Sequence, residues 1–187
     1  MRSALGVMYA KVEGTYGTDS VPTGAANAIQ AFDVKLDPQH EVLERDDLAV
    51  TKSKLKSLGG KRKYELSFYV ELKGSGAAGT APRGVGDILK ACDHTETTSP
   101  GVSVTYAPRS GSLQSCTIYL FMDGLRHILT GCVGDMEFSG IAGEVAKLKF
   151  KMKCLYQTPT DQALPSSPTY ESTVPIVLKN LTATLDS

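Results

Sequence analysis

The sequence has no net charge to offer a partner, because twenty lysines and arginines offset twenty aspartates and glutamates. That balance excludes a field that would draw the whole chain onto nucleic acid or an anionic membrane, so any basic contact is local. It also lacks an apolar run long enough to span a bilayer. The opening stretch Met1 to Ala10 is apolar but short, and Lys11 and Glu13 follow without the cleavage site of a signal peptide. Cysteine is sparse: Cys92, Cys116, Cys132 and Cys154 lie too far apart for a Cys-x-x-Cys metal or redox motif. Three of the four sit in apolar patterns, where a reduced thiol packs as a small hydrophobe, and this points to assembly in a reducing cytoplasm. His40, His94 and His127 have no second histidine or cysteine at ligand spacing. A Gly-x-Ser-x-Gly elbow is missing, as is a carboxylate pair framed by an apolar pattern. The expectation is a protein that is not an enzyme and carries no cofactor or metal.

What is present is alternation. Between Lys63 and Leu72, Tyr64, Leu66, Phe68, Val70 and Leu72 fall on one face and Glu65, Ser67, Tyr69 and Glu71 on the other, the period of a half-buried strand. Residues 4 to 13 read as a first strand, and Gln30 to Leu36 as a second that Asp37-Pro38 stops. Leu43 to Arg62 then breaks every period. It carries Glu44, Arg45, Asp46 and Asp47, then Lys52, Lys54, Lys56, Lys61 and Arg62, and a long aperiodic connection of this kind reads as a contact arm. After Pro82, Val85, Ile88, Leu89 and Cys92 form the apolar stripe of one short helix.

The second half reads as hairpins. Val102 to Tyr106 is a brief strand, and Leu113 to Met122 meets Leu125 to Thr130 across Asp123-Gly124, a strong two-residue turn signal. Both faces of that hairpin are apolar, which predicts cover from the protein's own core on one side and from a neighbouring subunit on the other. Gly134 to Ser139 and Val145 to Tyr156 make another hairpin across residues 140 to 143. A symmetric turn there sets Glu137 opposite Lys147 and Asp135 opposite Lys149. From Tyr156 the chain reads as a loop or arm, with Val174 to Leu178 and Leu181 to Leu185 as a last strand. The fold class expected is mainly β: an antiparallel sandwich or barrel with one flanking helix, in a single domain over residues 1–187, with an arm at 43–62 and a C-terminal arm at 157–187.

Two motifs invite chemistry. Gly74-Ser75-Gly76-Ala77-Ala78-Gly79 is a literal G-x-G-x-x-G after a strand, the basis of an alternative reading as a nucleotide-dependent oxidoreductase. Its context argues against a dinucleotide, since the strand alternates with charge and the helix opens only after Pro82. Lys147, Lys149, Lys151 and Lys153 alternate along one strand and could track phosphates, yet acidic partners are expected across the hairpin.

Taken in order, Tyr16 to Thr23, the strand 63–72 running into Gly74 to Pro82, Ile88 to Cys92, Ser103 to Pro108, Thr117 to Tyr119, Asp123-Gly124, His127 to Gly131 and Leu155 to Asp161 resemble the tail tube proteins of long-tailed bacteriophages. The likeness runs from about residue 7 to residue 165. Longer relatives continue past a segment like Val174 to Asn180, so the chain is expected to be a compact or a truncated version. The resemblance implies a structural virion protein whose hexameric rings stack into a tube, a passive conduit for genome DNA. Its partners would be further copies of itself and the tape measure, tail tip and tail terminator proteins, with no membrane. A secretion-type tube delivering effectors is the other alternative. On this reading Glu44, Asp46, Asp47, Lys52, Lys54, Lys56 and Arg62 are subunit or ring contacts, and Glu65, Ser67 and Glu71 belong to a lumen or contact face. The lysine face 147 to 153 is expected to point away from the lumen or to be neutralised by neighbours, because unpaired lysines would grip DNA phosphates.

Overall fold

The structure, a computed structural model, describes residues 5–45 and 56–179. Its strands are β1 (Gly6–Val12), β2 (Ala28–Ile29), β3 (Ala31–Leu43), β4 (Leu58–Glu71), β5 (His94–Ser99), β6 (Ser103–Pro108), β7 (Cys116–Met122), β8 (Leu125–Ser139), β9 (Lys147–Leu155) and β10 (Thr160–Asp161), with the helix α1 (Val85–Ala91). Every strand pair is antiparallel, and the main sheet runs β2-β1-β7-β8-β9-β4-β3 with β10 on β8. This is the mainly β architecture with one short helix that the alternation predicts.

β8 folds the sheet in two. Its first half pairs with β7 and its second half, from Thr130 to Ser139, with β9. The register slips in both ladders around Gly131, which takes the left-handed conformation at φ 58. An extra residue of this kind bends a strand sharply. Two segments that the sequence reads as separate strands, 125–130 and 134–139, are therefore one strand with a corner. Between the two halves lies the core: Phe68 stacks on Phe150 at 5.3 Å, and Leu66, Val70, Met152, Ile118 and Leu129 close around Ile88 of α1. All four cysteines are buried and free in this core, and burial pushes the Cys92 thiol up to about 12.

Several expectations need correction. Asp37-Pro38 does not stop β3, which continues to Leu43 because it is an edge strand and an edge position tolerates the missing N–H. β4 begins at Leu58, so the last part of the aperiodic segment, 58–62, belongs to a hairpin with β3, with Leu43 opposite Leu58. The 140–143 hairpin is not symmetric: Glu137 lies opposite Lys149 and Asp135 opposite Lys151, two residues from the expected register. The cause is the C-terminal segment. Ala146 N–H donates to Ile176 O and Leu178 N–H to Glu144 O, so residues 144 to 146 pair with that segment and not with β8. Of the expected last strand, only a bridge between Val145 and Val177 forms, and residues 181–185 lie outside those described. β5 was not expected at all, since His94-Thr-Glu-Thr-Thr-Ser99 has no apolar face.

The Asp123-Gly124 turn is as predicted, with φ of 53 and 81 at its two central residues. The second apolar face of its hairpin, however, is covered from within the chain. Val7, Tyr9, Ala28, Tyr119 and Phe121 are buried, and Tyr170 packs on them. Asp19 of the 14–27 loop accepts a hydrogen bond from Tyr119 Oη, and Thr169 N–H donates to Gly24 O. No neighbouring subunit is needed there.

Candidate assembly surface

The half-sheet β3-β4-β9-β8 has one face in the core and the other directed away from it. Strand periodicity sends Tyr64, Leu66, Phe68 and Val70 inward, so Glu65, Ser67, Tyr69 and Glu71 share the outer face. The ladders arrange that face in rows: Asp37, Glu65, Lys153 and Val133; then Lys35, Ser67, Lys151 and Asp135; then Phe32, Tyr69, Lys149 and Glu137; then Glu71, Lys147 and Ser139. Each of the four lysines of β9 thus stands directly opposite a carboxylate on β4 or β8. Lys149 makes the contact at salt-bridge range, 3.7 Å from Glu137, and its ammonium lies 5.7 Å from the Tyr69 ring. A groove of about 1110 Å³ lined in part by Asp33, Lys35, Glu65, Lys149 and Lys153 runs over this face.

Both margins of the half-sheet are open. β3 pairs only with β4, and β8 from Val133 to Ser139 pairs only with β9, so among the described residues each presents a row of backbone groups with no strand beside it. Such rows template pairing with another chain. Charge on the outer face and a bulge near Asp33, at φ 49, are the usual means of keeping an edge from pairing indiscriminately.

Glu65, Ser67 and Glu71 are therefore brought together with Tyr69 as alternation predicts, and with cross-strand partners that alternation alone did not identify: Lys35, Asp37, Lys147, Lys151 and Lys153. Arg62 lies elsewhere, its guanidinium 5.5 Å from the Tyr156 ring. Glu44 and Lys56 are exposed at the hairpin's far end, and Asp46, Asp47, Lys52 and Lys54 lie outside the described residues.

The sequence gives no hint of a second polar cluster. Glu13 is buried, and its carboxylate accepts from Gly17 N–H at 2.8 Å, Ser115 Oγ at 2.6 Å, Thr117 Oγ1 at 2.8 Å and Gly131 N–H at 2.7 Å. Four donors on one carboxylate tie the end of β1 to its loop, to β7 and to the corner of β8. This satisfies a buried charge without a cation. Nearby, burial and the hydrogen bond to Asp19 push the Tyr119 phenol up to about 12, against a smaller opposing effect of Arg126.

The glycine loop is packing, not a phosphate cradle. A Cβ on Gly79, at φ 68, would sit 2.4 Å from Gly101 N and 2.5 Å from Ser99 O, so the loop lies backbone to backbone on the β5–β6 turn. The strand before it, β4, is antiparallel to both neighbours, and α1 starts well after the last glycine. A dinucleotide fold needs a parallel strand running straight into the helix. Among the described residues no group of three His, Cys, Asp or Glu side chains is arranged to hold a metal ion.

Among the described residues, a closed core thus stands beside a half-sheet with two bare edges, the kind of surface on which another chain can pair. The chain belongs to the family described as phage tail tube protein, whose model matches residues 3–186. Among curated proteins, none matches. Among solved structures, the chain is similar to a chain in the electron cryomicroscopy structure of the anti-feeding prophage baseplate, six-fold symmetrised. The TM-score is 0.55 at 9% identity, over 88% of this chain and 97% of that one, a likeness of fold. The protein is thus a structural component of a phage tail.

Proposed function

We propose that copies of this chain join side by side through the bare edges, β3 of one pairing with the 133–139 stretch of β8 in the next, to close a hexameric ring. Six copies agree with the six-fold symmetry of the assembly that contains the similar fold. The observation that carries the reading is the half-sheet itself: two unpaired edges, one face in the core and the other charged and open. Closure would remove every bare edge on it.

In such a ring the charged face becomes the lumen, and the rings stack into a passive conduit through which genome DNA leaves the particle. Of the two alternatives expected for the lysine face, this reading takes the second, neutralisation by neighbours. The β9 lysines face the channel, and the carboxylates opposite them in the ladders offset their charge. A lining of unpaired lysines would exchange counterions with the phosphates and hold the DNA, whereas a balanced ladder lets it slide. The tape measure, tip and terminator proteins would bound the tube, and assembly would take place in the host cytoplasm before the tail joins the virion. Electron cryomicroscopy of the assembled tube tests this. The expected result is one continuous barrel with β3 beside β8 of the neighbour; a ring in which these two edges stay apart would refute it.

A further inference from the structure

Resting on the side-by-side pairing proposed above, we infer that Phe138 at one margin of the half-sheet is a knob and that a cavity at the opposite margin is its hole, so that a second copy of this chain seats its Phe138 there and confines the two edges to the registers that seat it. Backbone pairing alone does not choose a register. A slip by an even number of residues preserves the ladder and keeps every side chain on its face. When a strand is added to a sheet edge, main-chain bonds supply affinity and pockets for alternate side chains supply specificity.

On β8, Phe138 lies opposite Leu148 and alternates with Met136, which packs against the core, so its ring belongs to the core face. It is nonetheless 49% exposed, because among the described residues no strand pairs with β8 on that side. Phe138, Leu148, Val70 and Ala31 stand level across the four strands. One end of this row carries its largest apolar side chain and the other end its smallest.

A cavity of about 490 Å³ opens beside Ala31. It lies where the chain steps from β2, paired with β1, to β3, paired with β4, with Gln30 alone between the two strands. Met8, Ile29, Ala31, Val34, Leu120 and Met122 line it. Among the described residues the charged ones in its lining are Asp33 and Lys147, one of each sign, so the hole sets no net charge against an aromatic ring. Aromatic side chains seated in such pockets are the usual anchors of an interface.

The occupant is Phe138 of the next copy. β3, β4, β9 and β8 alternate in direction, so β8 of one copy meets β3 of the next antiparallel, like every other pair of the sheet. A closed barrel of tilted strands needs a stagger between copies, and an even stagger keeps the core faces together. Level pairing sets Phe138 beside Ala31, and a stagger to the next core-facing residue sets it beside Ile29 or Val34. All three line the cavity, and a larger slip leaves the ring outside it.

The test places a photo-crosslinking amino acid in place of Phe138 in assembled tails and maps the adducts by mass spectrometry. The expected adducts lie on Ile29, Ala31, Val34 or Met122 of another copy. Adducts only within the same subunit, on a different tail protein, or on another surface of the neighbour would overturn the inference. A probe in place of Glu137, on the outer face of the same edge, reports on ring closure by itself. Crosslinks from Glu137 to β3 of another copy, with none from position 138 to the cavity, would remove the knob and leave the ring; no crosslink from Glu137 to β3 would remove both. Phe138→Ala gives a second readout: the melting temperature of the free subunit should hold while the yield of assembled tube falls at least about tenfold. Assembly at the wild-type yield would also overturn the inference.

Discussion

The two halves of the sheet use the same strands and finish them differently. In the half formed by β1, β7 and the start of β8, both faces are apolar and the chain buries both, one under α1 and the core and the other under its own loop and Tyr170. In the half formed by β3, β4, β9 and the end of β8, one face is apolar and buried while the other is a ladder of charges between bare edges. The first half stabilises the subunit. The second is left incomplete, and under the proposed function that is where the next copy enters.

That contrast can be broken by substitution. Phe150→Ala removes a fully buried ring from the stack on Phe68 and should cost about 4 kcal/mol, enough to prevent folding at growth temperature; thermal melting measures it. Glu13→Ala should cost about 3 kcal/mol by leaving four donors without an acceptor, among them the buried Ser115 and Thr117 hydroxyls, although neither assembly edge is touched. Glu13→Gln should recover only part of that loss, because an amide accepts through one oxygen.

Alkaline pH probes the closed half. The Tyr119 phenol is raised from its ordinary 10 to about 12, by burial first and by Asp19 second. A folded value above the unfolded one means that its stabilising contribution is complete below pH 10 and is lost as pH rises towards 12. Ultraviolet titration should therefore show Tyr119 ionising late, towards pH 12, and Tyr119→Phe should flatten the decline in stability over that interval.

The open half should respond least in stability and most in assembly. Asp135→Asn with Glu137→Gln removes the carboxylates opposite Lys151 and Lys149 and should change stability by less than about 1 kcal/mol, since these are exposed pairs. The same double variant should slow DNA ejection from assembled particles, most strongly at low salt. Unchanged ejection would argue against a lumen position for β9.

The sequence made the closed parts legible where one pattern had one cause. Tyr64 to Val70 alternates because one face meets the core, Asp123-Gly124 turns because both residues take positive φ, and Ile88 and Leu89 mark a helix because that stripe has a sheet to lie on. Failures came where distant chain decided. The hairpin after Ser139 shifted by two because residues 144 to 146 pair with Ile176 and Leu178, far along the sequence. A shift of two keeps every side chain on its face, so the opposition of lysine to carboxylate survived while the partners changed. Pro38 looked like a stop because nothing local reveals that β3 is an edge. Nothing local marks Glu13 as buried, since its four donors come from three separate stretches.

The central claim is that β3 and the 133–139 stretch of β8 are edges held open for the next copy. Amide hydrogen exchange compared between free subunit and assembled tube tests it most directly. The outward-facing amides of both edges should exchange rapidly in the free subunit and become strongly protected in the tube, while β7, already paired on both sides, changes little. Edges that exchange equally fast in both forms would contradict the account.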